Sequence, residues 1–105
     1  MENKQIQDPI VFHILSRLER FGHPEVPLQI IKEKNSYIVG HKRKRFRDGS
    51  EYFAQAGKMT FVKSQNIWKL YWMRADLKWH LYEEYTNLDE LLEELKTDPN
   101  GCFWG

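Results

Sequence analysis

Cysteine is almost missing from this chain: Cys102 is the only one in 105 residues. A lone cysteine excludes an internal disulfide, so no disulfide scaffold holds the fold. Cys102 has no basic neighbour to favour its thiolate, and nearby Asp98 is acidic, so the thiol reads as structural rather than nucleophilic. Long apolar runs are missing too. No stretch approaches the ~20 residues that span a bilayer, and Met1 to Pro9 is polar, without the apolar segment of a secretory signal. Together these absences predict a cytoplasmic location and no membrane partner. The chain also has no glycine-rich phosphate loop and no nucleophile elbow. His13, His23, His41 and His80 stand on four separate predicted elements, with no ligand pair at usable spacing, so neither a metal nor a cofactor is expected.

Aromatic residues, by contrast, are abundant: four Trp, five Tyr and six Phe are too many for a solvated coil. A chain of this length hides roughly two-thirds of the surface it exposes when unfolded. That supports one core and excludes two, so residues 1–105 read as a single domain. Charge of one sign is lacking in total, which is +1, but the charges are segregated. Residues 32–78 carry twelve basic and four acidic side chains; residues 79–105 carry one basic and seven acidic. A dipole is therefore expected rather than a neutral protein.

The chain opens with a predicted helix over about 9–21. Asp8 suits the N-cap and Pro9 the first helical position. Val11, Ile14, Leu15, Leu18 and Phe21 form its apolar stripe, and Gly22 is expected to stop it in the left-handed conformation. His23-Pro24-Glu25 reads as a turn. The period then changes to that of strands, expected over Val26–Lys34, Ser36–Phe46, Lys58–Lys63, Ile67–Met73 and Lys78–Glu83. Turns are expected at Lys34-Asn35-Ser36, Arg47-Asp48-Gly49-Ser50 and Ser64-Gln65-Asn66. A second amphipathic helix is predicted over 88–96, capped by Thr86 or Asn87, with Leu88, Leu91, Leu92 and Leu95 as its stripe. The closing Phe103-Trp104 pair is expected to dock on the core. Short strands with close turns favour antiparallel neighbours, and one sheet face must be covered. The fold expected is a two-layer α+β domain: N-terminal helix, antiparallel meander of about five strands, C-terminal helix.

Two segments carry candidate chemistry. In Trp68–Tyr82, a connection at Arg74–Leu77 would pair Trp72 with Trp79, Tyr71 with His80, Leu70 with Leu81 and Lys69 with Tyr82. Strand alternation then puts Trp68, Leu70, Trp72, Trp79 and Leu81 on the core face, and Lys69, Tyr71, Lys78, His80 and Tyr82 on the other. On this reading Tyr71, Lys78, His80 and Tyr82, with Arg74 and Asp76, form a polar patch on an open sheet. That patch would bind an anion or place His80 for acid–base chemistry. The plainer reading pairs Arg74 with Asp76 across the turn and leaves the rest as solvent-facing cross-strand residues.

The second segment, His41-Lys42-Arg43-Lys44-Arg45-Phe46-Arg47, has five formal positive charges in seven residues. It has the electrostatic footprint of a nucleic-acid or polyanion site, with aromatics nearby for base stacking. Alternation puts His41, Arg43, Arg45 and Arg47 on one side and Lys42, Lys44 and Phe46 on the other, which favours an edge strand or one that runs past the core. Two plainer roles compete: lysines that block edge-to-edge aggregation, or a surface paired with the acidic C-terminal helix in the same chain or in a second copy. The overall pI of about 7.9 lies below the range usual for dedicated nucleic-acid domains.

The run Trp68-x-Leu70-Tyr71-Trp72-x-Arg74-Ala75-Asp76-Leu77-Lys78-Trp79-His80-x-Tyr82 is followed by a leucine-rich helix and a closing Asp98…Cys102-Phe103-Trp104-Gly105. In these features the chain resembles a bacterial family labelled only as a domain of unknown function (number 3024). Ala56-Gly57-Lys58-Met59-Thr60-Phe61 resembles the strand that precedes the motif there. The resemblance covers about residues 26–105, while the first helix matches in type alone. On the second strand, His41 and Arg43 stand where the family's pattern has an acidic residue shortly before an arginine. The resemblance implies a fold and a bacterial, cytoplasmic origin, and no activity.

The function expected is a small binding or interaction module, for an anionic ligand or nucleic acid, using the basic strand and an aromatic sheet face. Its candidate residues are Arg43, Arg45, Tyr71, Arg74, Asp76, Lys78, His80 and Tyr82. The alternatives are a small enzyme with His80 as general acid or base, working with Asp76 or a tyrosine, and a homodimer joined through the basic and acidic surfaces.

Overall fold

The computed structural model describes residues 8–22 and 26–104. The expected turn at 23–25 lies outside those residues, as does most of the polar N-terminus. Helix α1 spans Pro9–Leu18, and Asp8 caps it by accepting the Ile10 N–H on Oδ1 at 2.9 Å. Val11, Ile14 and Leu18 are its buried stripe. The helix does not run to residue 21; it tightens into a 3₁₀ turn over Glu19–Phe21. Gly22 is not left-handed, with φ at −84°, and its N–H donates to Glu19 O at 2.9 Å. The tightened turn stops the helix, so no left-handed glycine is needed.

Five strands follow: β1 Leu28–Glu33, β2 Ser36–Lys44, β3 Glu51–Val62, β4 Ile67–Met73 and β5 Trp79–Tyr85. They form one antiparallel sheet in sequence order. Helix α2 spans Leu88–Thr97. Asn87 is its N-cap, accepting Glu90 N–H at 2.9 Å. The structure is thus helix, five-stranded antiparallel meander, helix, in two α+β layers. Its shortest dimension, 23 Å, suits one sheet and one helix layer.

Both helices press on the same face of the sheet. Val11, Ile14 and Leu18 of α1 and Leu91, Leu92 and Leu95 of α2 share a core with Ile30, Tyr37, Val39, Met59, Trp68 and Leu70. Phe103 is buried in that core, as expected, and Trp104 stacks on Phe21 with ring centroids 4.3 Å apart. Asp98, in the left-handed conformation at the end of α2, organises this tail. Its carboxylate accepts the N–H groups of Cys102 and Trp104, both at 2.9 Å.

The sheet departs from expectation at two places. First, β3 is twelve residues long and starts at Glu51, not Lys58. Tyr52-Phe53-Ala54-Gln55-Ala56 does not alternate cleanly, because a bulge interrupts it: Val39 pairs with Gly57 but Gly40 with Gln55, leaving Ala56 over. Gly40 is required there, since a Cβ would lie 2.2 Å from the Ala54 carbonyl oxygen. From Ser36 to His41 β2 is an inner strand, and its basic end is the expected strand that runs past the core. Beyond His41 it leaves β1 behind, as β1 pairing ends at Leu28 opposite His41. β4 pairs with β3 only from Lys58 onward. Residues 42–53 therefore form a two-stranded arm running past the covered sheet, braced by the Lys42 N–H on Pro27 O at 3.1 Å. Its tip turns through Gly49, which has φ +73°.

Second, the β4–β5 connection is five residues, Arg74–Lys78, so the pairing is Met73 with Trp79, Trp72 with His80 and Tyr71 with Leu81. The odd loop closes with Leu77 at positive φ and hydrogen bonds from Leu77 N to Arg74 O and from Arg74 N to Lys78 O. One extra residue inverts the faces. Trp79 and Leu81 therefore lie on the open face, not in the core, and Leu81 is 49% exposed. His80 joins Trp72 on the helix-bearing face. A bulge at Tyr82 then restores the phase, pairing Leu70 with Glu83 and Trp68 with Tyr85. Tyr82 and Tyr85 accordingly pack against the core.

Candidate functional site

Because the faces invert, the six candidates of β4, β5 and their loop do not meet as one patch, and Arg43 and Arg45 lie apart from them on the arm. Tyr71 is on the open face, half-buried, with the Lys58 ammonium 5.6 Å from its ring centroid. Tyr82 points toward α2: its hydroxyl donates to Glu94 at 2.8 Å and accepts from the Asn100 side-chain amide at 2.8 Å. Burial, helped by the Glu94 carboxylate, raises its pKa, and the same two causes raise that of Tyr85. Both phenols stay protonated at neutral pH, so neither supplies a base.

Arg74, Asp76, Lys78 and His80 do gather, at the β4–β5 loop. Asp76 accepts the Lys78 N–H at 3.0 Å and the His80 Nε2–H at 2.8 Å. The bond from His80, then that from the Lys78 N–H, hold the Asp76 carboxyl below its ordinary value. The expected Arg74–Asp76 pairing does not form. The Arg74 guanidinium lies over the Trp72 ring instead, 5.1 Å from its centroid. His80 and Asp76 side chains are 36% and 48% exposed. Among the described residues no hydrogen bond ties His80 to a hydroxyl or thiol. An oriented imidazole with a carboxylate is one half of an acid–base device; here the same carboxylate closes the turn.

Arg43 and Arg45 belong to the arm, which is the more concentrated group. Register puts Lys42 opposite Phe53, Arg43 opposite Tyr52 and Lys44 opposite Glu51. Lys42 and Glu51 neutralise each other at 3.0 Å. Arg43, Lys44, Arg45 and Arg47 are exposed and, among the described residues, are in no ion pair. The Arg45 guanidinium lies over Tyr52, 4.7 Å from the ring centroid. Phe46, between Arg45 and Arg47, is fully exposed. Val26, Pro27, Lys42, Arg43, Lys44, Glu51 and Tyr52 line a groove of about 740 Å³ along the arm. A second hollow of about 640 Å³ at the tip shares Lys44 and Tyr52 with it.

Tyr52 was not among the candidates read from sequence. A turn signal at Asp48-Gly49 after a basic strand implies a returning strand of equal length, and counting back across it places Tyr52 opposite Arg43. The acidic C-terminal helix does not cover the arm. Its Asp89 faces α1, hydrogen-bonded to His13 at 2.5 Å with Arg17 at 3.7 Å, and the His13 bond lowers the Asp89 pKa. Among the described residues no ion pair joins α2 to residues 41–47.

A family model described as Domain of unknown function (DUF3024) matches residues 2–105, so the match includes the first helix. No curated protein and no solved structure matches the chain.

Proposed function

The chain belongs to the DUF3024 family, and from that premise, which brings no activity with it, we propose that it is a binding module for nucleic acid, using the β2–β3 arm. One observation carries the reading: Arg43, Lys44, Arg45 and Arg47 project past the covered sheet on the arm, and among the described residues none of them is in an ion pair. Blocking edge pairing calls for lysines; three of the four cations on the arm that form no ion pair are arginines, Arg43, Arg45 and Arg47. The overall pI counts for little here, because among the described residues no acidic side chain of α2 pairs with the arm: Asp89 meets α1 and Glu94 meets Tyr82. Phosphates would meet the guanidinium groups, whose planar forks match their geometry.

The setting that goes with this reading is the bacterial cytoplasm, where nucleic acid is accessible and a free thiol such as Cys102 persists. The test is retention of the full chain on immobilised heparin and on immobilised DNA. The wild type is expected to elute only as salt is raised, and the Arg43→Glu/Arg45→Glu variant to flow through with its thermal transition unchanged. Equal retention of both proteins overturns the reading.

A further inference from the structure

Resting on that reading, we infer that the ligand is single-stranded nucleic acid, and that Phe46 is the residue on which a base stacks. Phe46 is exposed over its whole side chain. Leaving a phenyl ring in water is unfavourable, and among the described residues Phe46 is not packed against the core. Phe46 lies between Arg45 and Arg47 in sequence, at the turn of the arm, and lines one hollow with both. Tyr52, the other aromatic of the tip, already has one face covered by the Arg45 guanidinium. Phe46 is thus the free stacking surface, with a cation on either side for the flanking phosphates. Stacking of this kind needs an unpaired base, because in a duplex the faces are already occupied by neighbouring bases.

The concave surface points the same way. The hollow at the tip is lined by Phe46 and the groove along the arm by Arg43 and Pro27, with Lys44 and Tyr52 lining both, so a strand whose base stacks on Phe46 has two concave basic surfaces within reach. A flexible single strand can enter both, whereas a duplex, with a persistence length of about 50 nm, is too stiff to bend into each. A flat anionic membrane would likewise meet Phe46, Arg45 and Arg47 but leave the groove at Val26, Pro27 and Lys42 unused. The groove favours the single strand.

The experiment is fluorescence anisotropy of the full chain with three probes. These are a mixed-sequence DNA single strand, the same strand annealed to its complement, and vesicles of phosphatidylserine and phosphatidylcholine. Phe46→Ala is compared with wild type, and Phe46→Tyr restores a stacking ring. Phe46 makes no core contact, so both variants should melt as wild type does. Removing a base–aromatic stack weakens binding by roughly ten-fold or more. The expected result is that loss on the single strand, its recovery in Phe46→Tyr, and little change on the duplex. Single-strand affinity indifferent to Phe46→Ala overturns stacking while leaving the polyanion reading in place. Phe46-dependent vesicle binding tighter than single-strand binding replaces the ligand with a membrane surface. No binding to either form of DNA overturns both the inference and the reading it rests on.

Discussion

Asp8 ties the first helix to the sheet through a single carboxylate. Oδ1 caps α1 at Ile10, while Oδ2 takes the Lys32 ammonium at 2.9 Å and the Tyr37 hydroxyl at 3.2 Å. Burial alone would raise its pKa, but the bonds from Lys32 and Ile10 outweigh that and hold it below 3.8. A carboxyl depressed in the folded state stabilises above its unfolded value and loses that contribution as pH falls through the folded value. Lys32, raised above 10.5 by its bond to Asp8, stabilises below that value and loses the contribution as pH rises through the folded one. Asp8→Ala is expected to cost about 1–2 kcal/mol, with Asp8→Asn costing less because it keeps a cap acceptor. Chemical denaturation at pH 7 and below pH 3 checks this: the gap between wild type and Asp8→Ala should shrink in acid. Trp104→Ala, which removes the stack on Phe21 and the Nε1–H bond to Leu95 O at 2.7 Å, should cost about 2–4 kcal/mol. Calorimetry reads that loss, and DNA retention should be kept, since Trp104 lies in the helix layer and not on the arm.

The arm as an element depends on Gly40. Any side chain there meets the Ala54 carbonyl, so Gly40→Ala should push β3 away where the arm departs and destabilise the fold by at least about 1–3 kcal/mol. Hydrogen exchange should show the Lys42–Phe53 amides losing protection before those of Tyr37–Val39. The arm also marks where sequence patterning stopped being readable. Helices α1 and α2, β2 and β4 follow from caps, turns and periodicity, because there one local rule decides. The first half of β3 was not readable, because its bulge hides the alternation that identifies a strand. The β4–β5 hairpin misled for a similar reason. Trp79 and Leu81 look like core residues, and an even loop would put them there. The five-residue turn instead places Trp79 on the open face, and the Tyr82 bulge recovers only Tyr82 and Tyr85 for the core. Loop parity depends on a turn held by the Asp76 carboxylate and Leu77 at positive φ, and neither leaves a mark in hydrophobic pattern. Of the candidate site, Arg43 and Arg45 were legible as charge alone; their setting beside Tyr52 and Phe46 needed the arm.

For the whole molecule, the total charge of +1 is a sum over separated surfaces. The acidic helix engages α1 through His13 and Arg17, and the basic arm carries four cations that, among the described residues, are in no ion pair. Binding by those cations releases counterions from the nucleic acid. The logarithm of affinity should then fall linearly with the logarithm of salt concentration, with a slope of about −0.7 per phosphate contact for single strands. The most direct measurement is the affinity of the full chain for a DNA single strand across a salt series. Contacts from Arg43, Lys44, Arg45 and Arg47 predict a slope of roughly −3, falling toward zero in Arg43→Glu/Arg45→Glu. Affinity independent of salt, or the same slope in both proteins, would contradict the assignment of the arm as the binding surface.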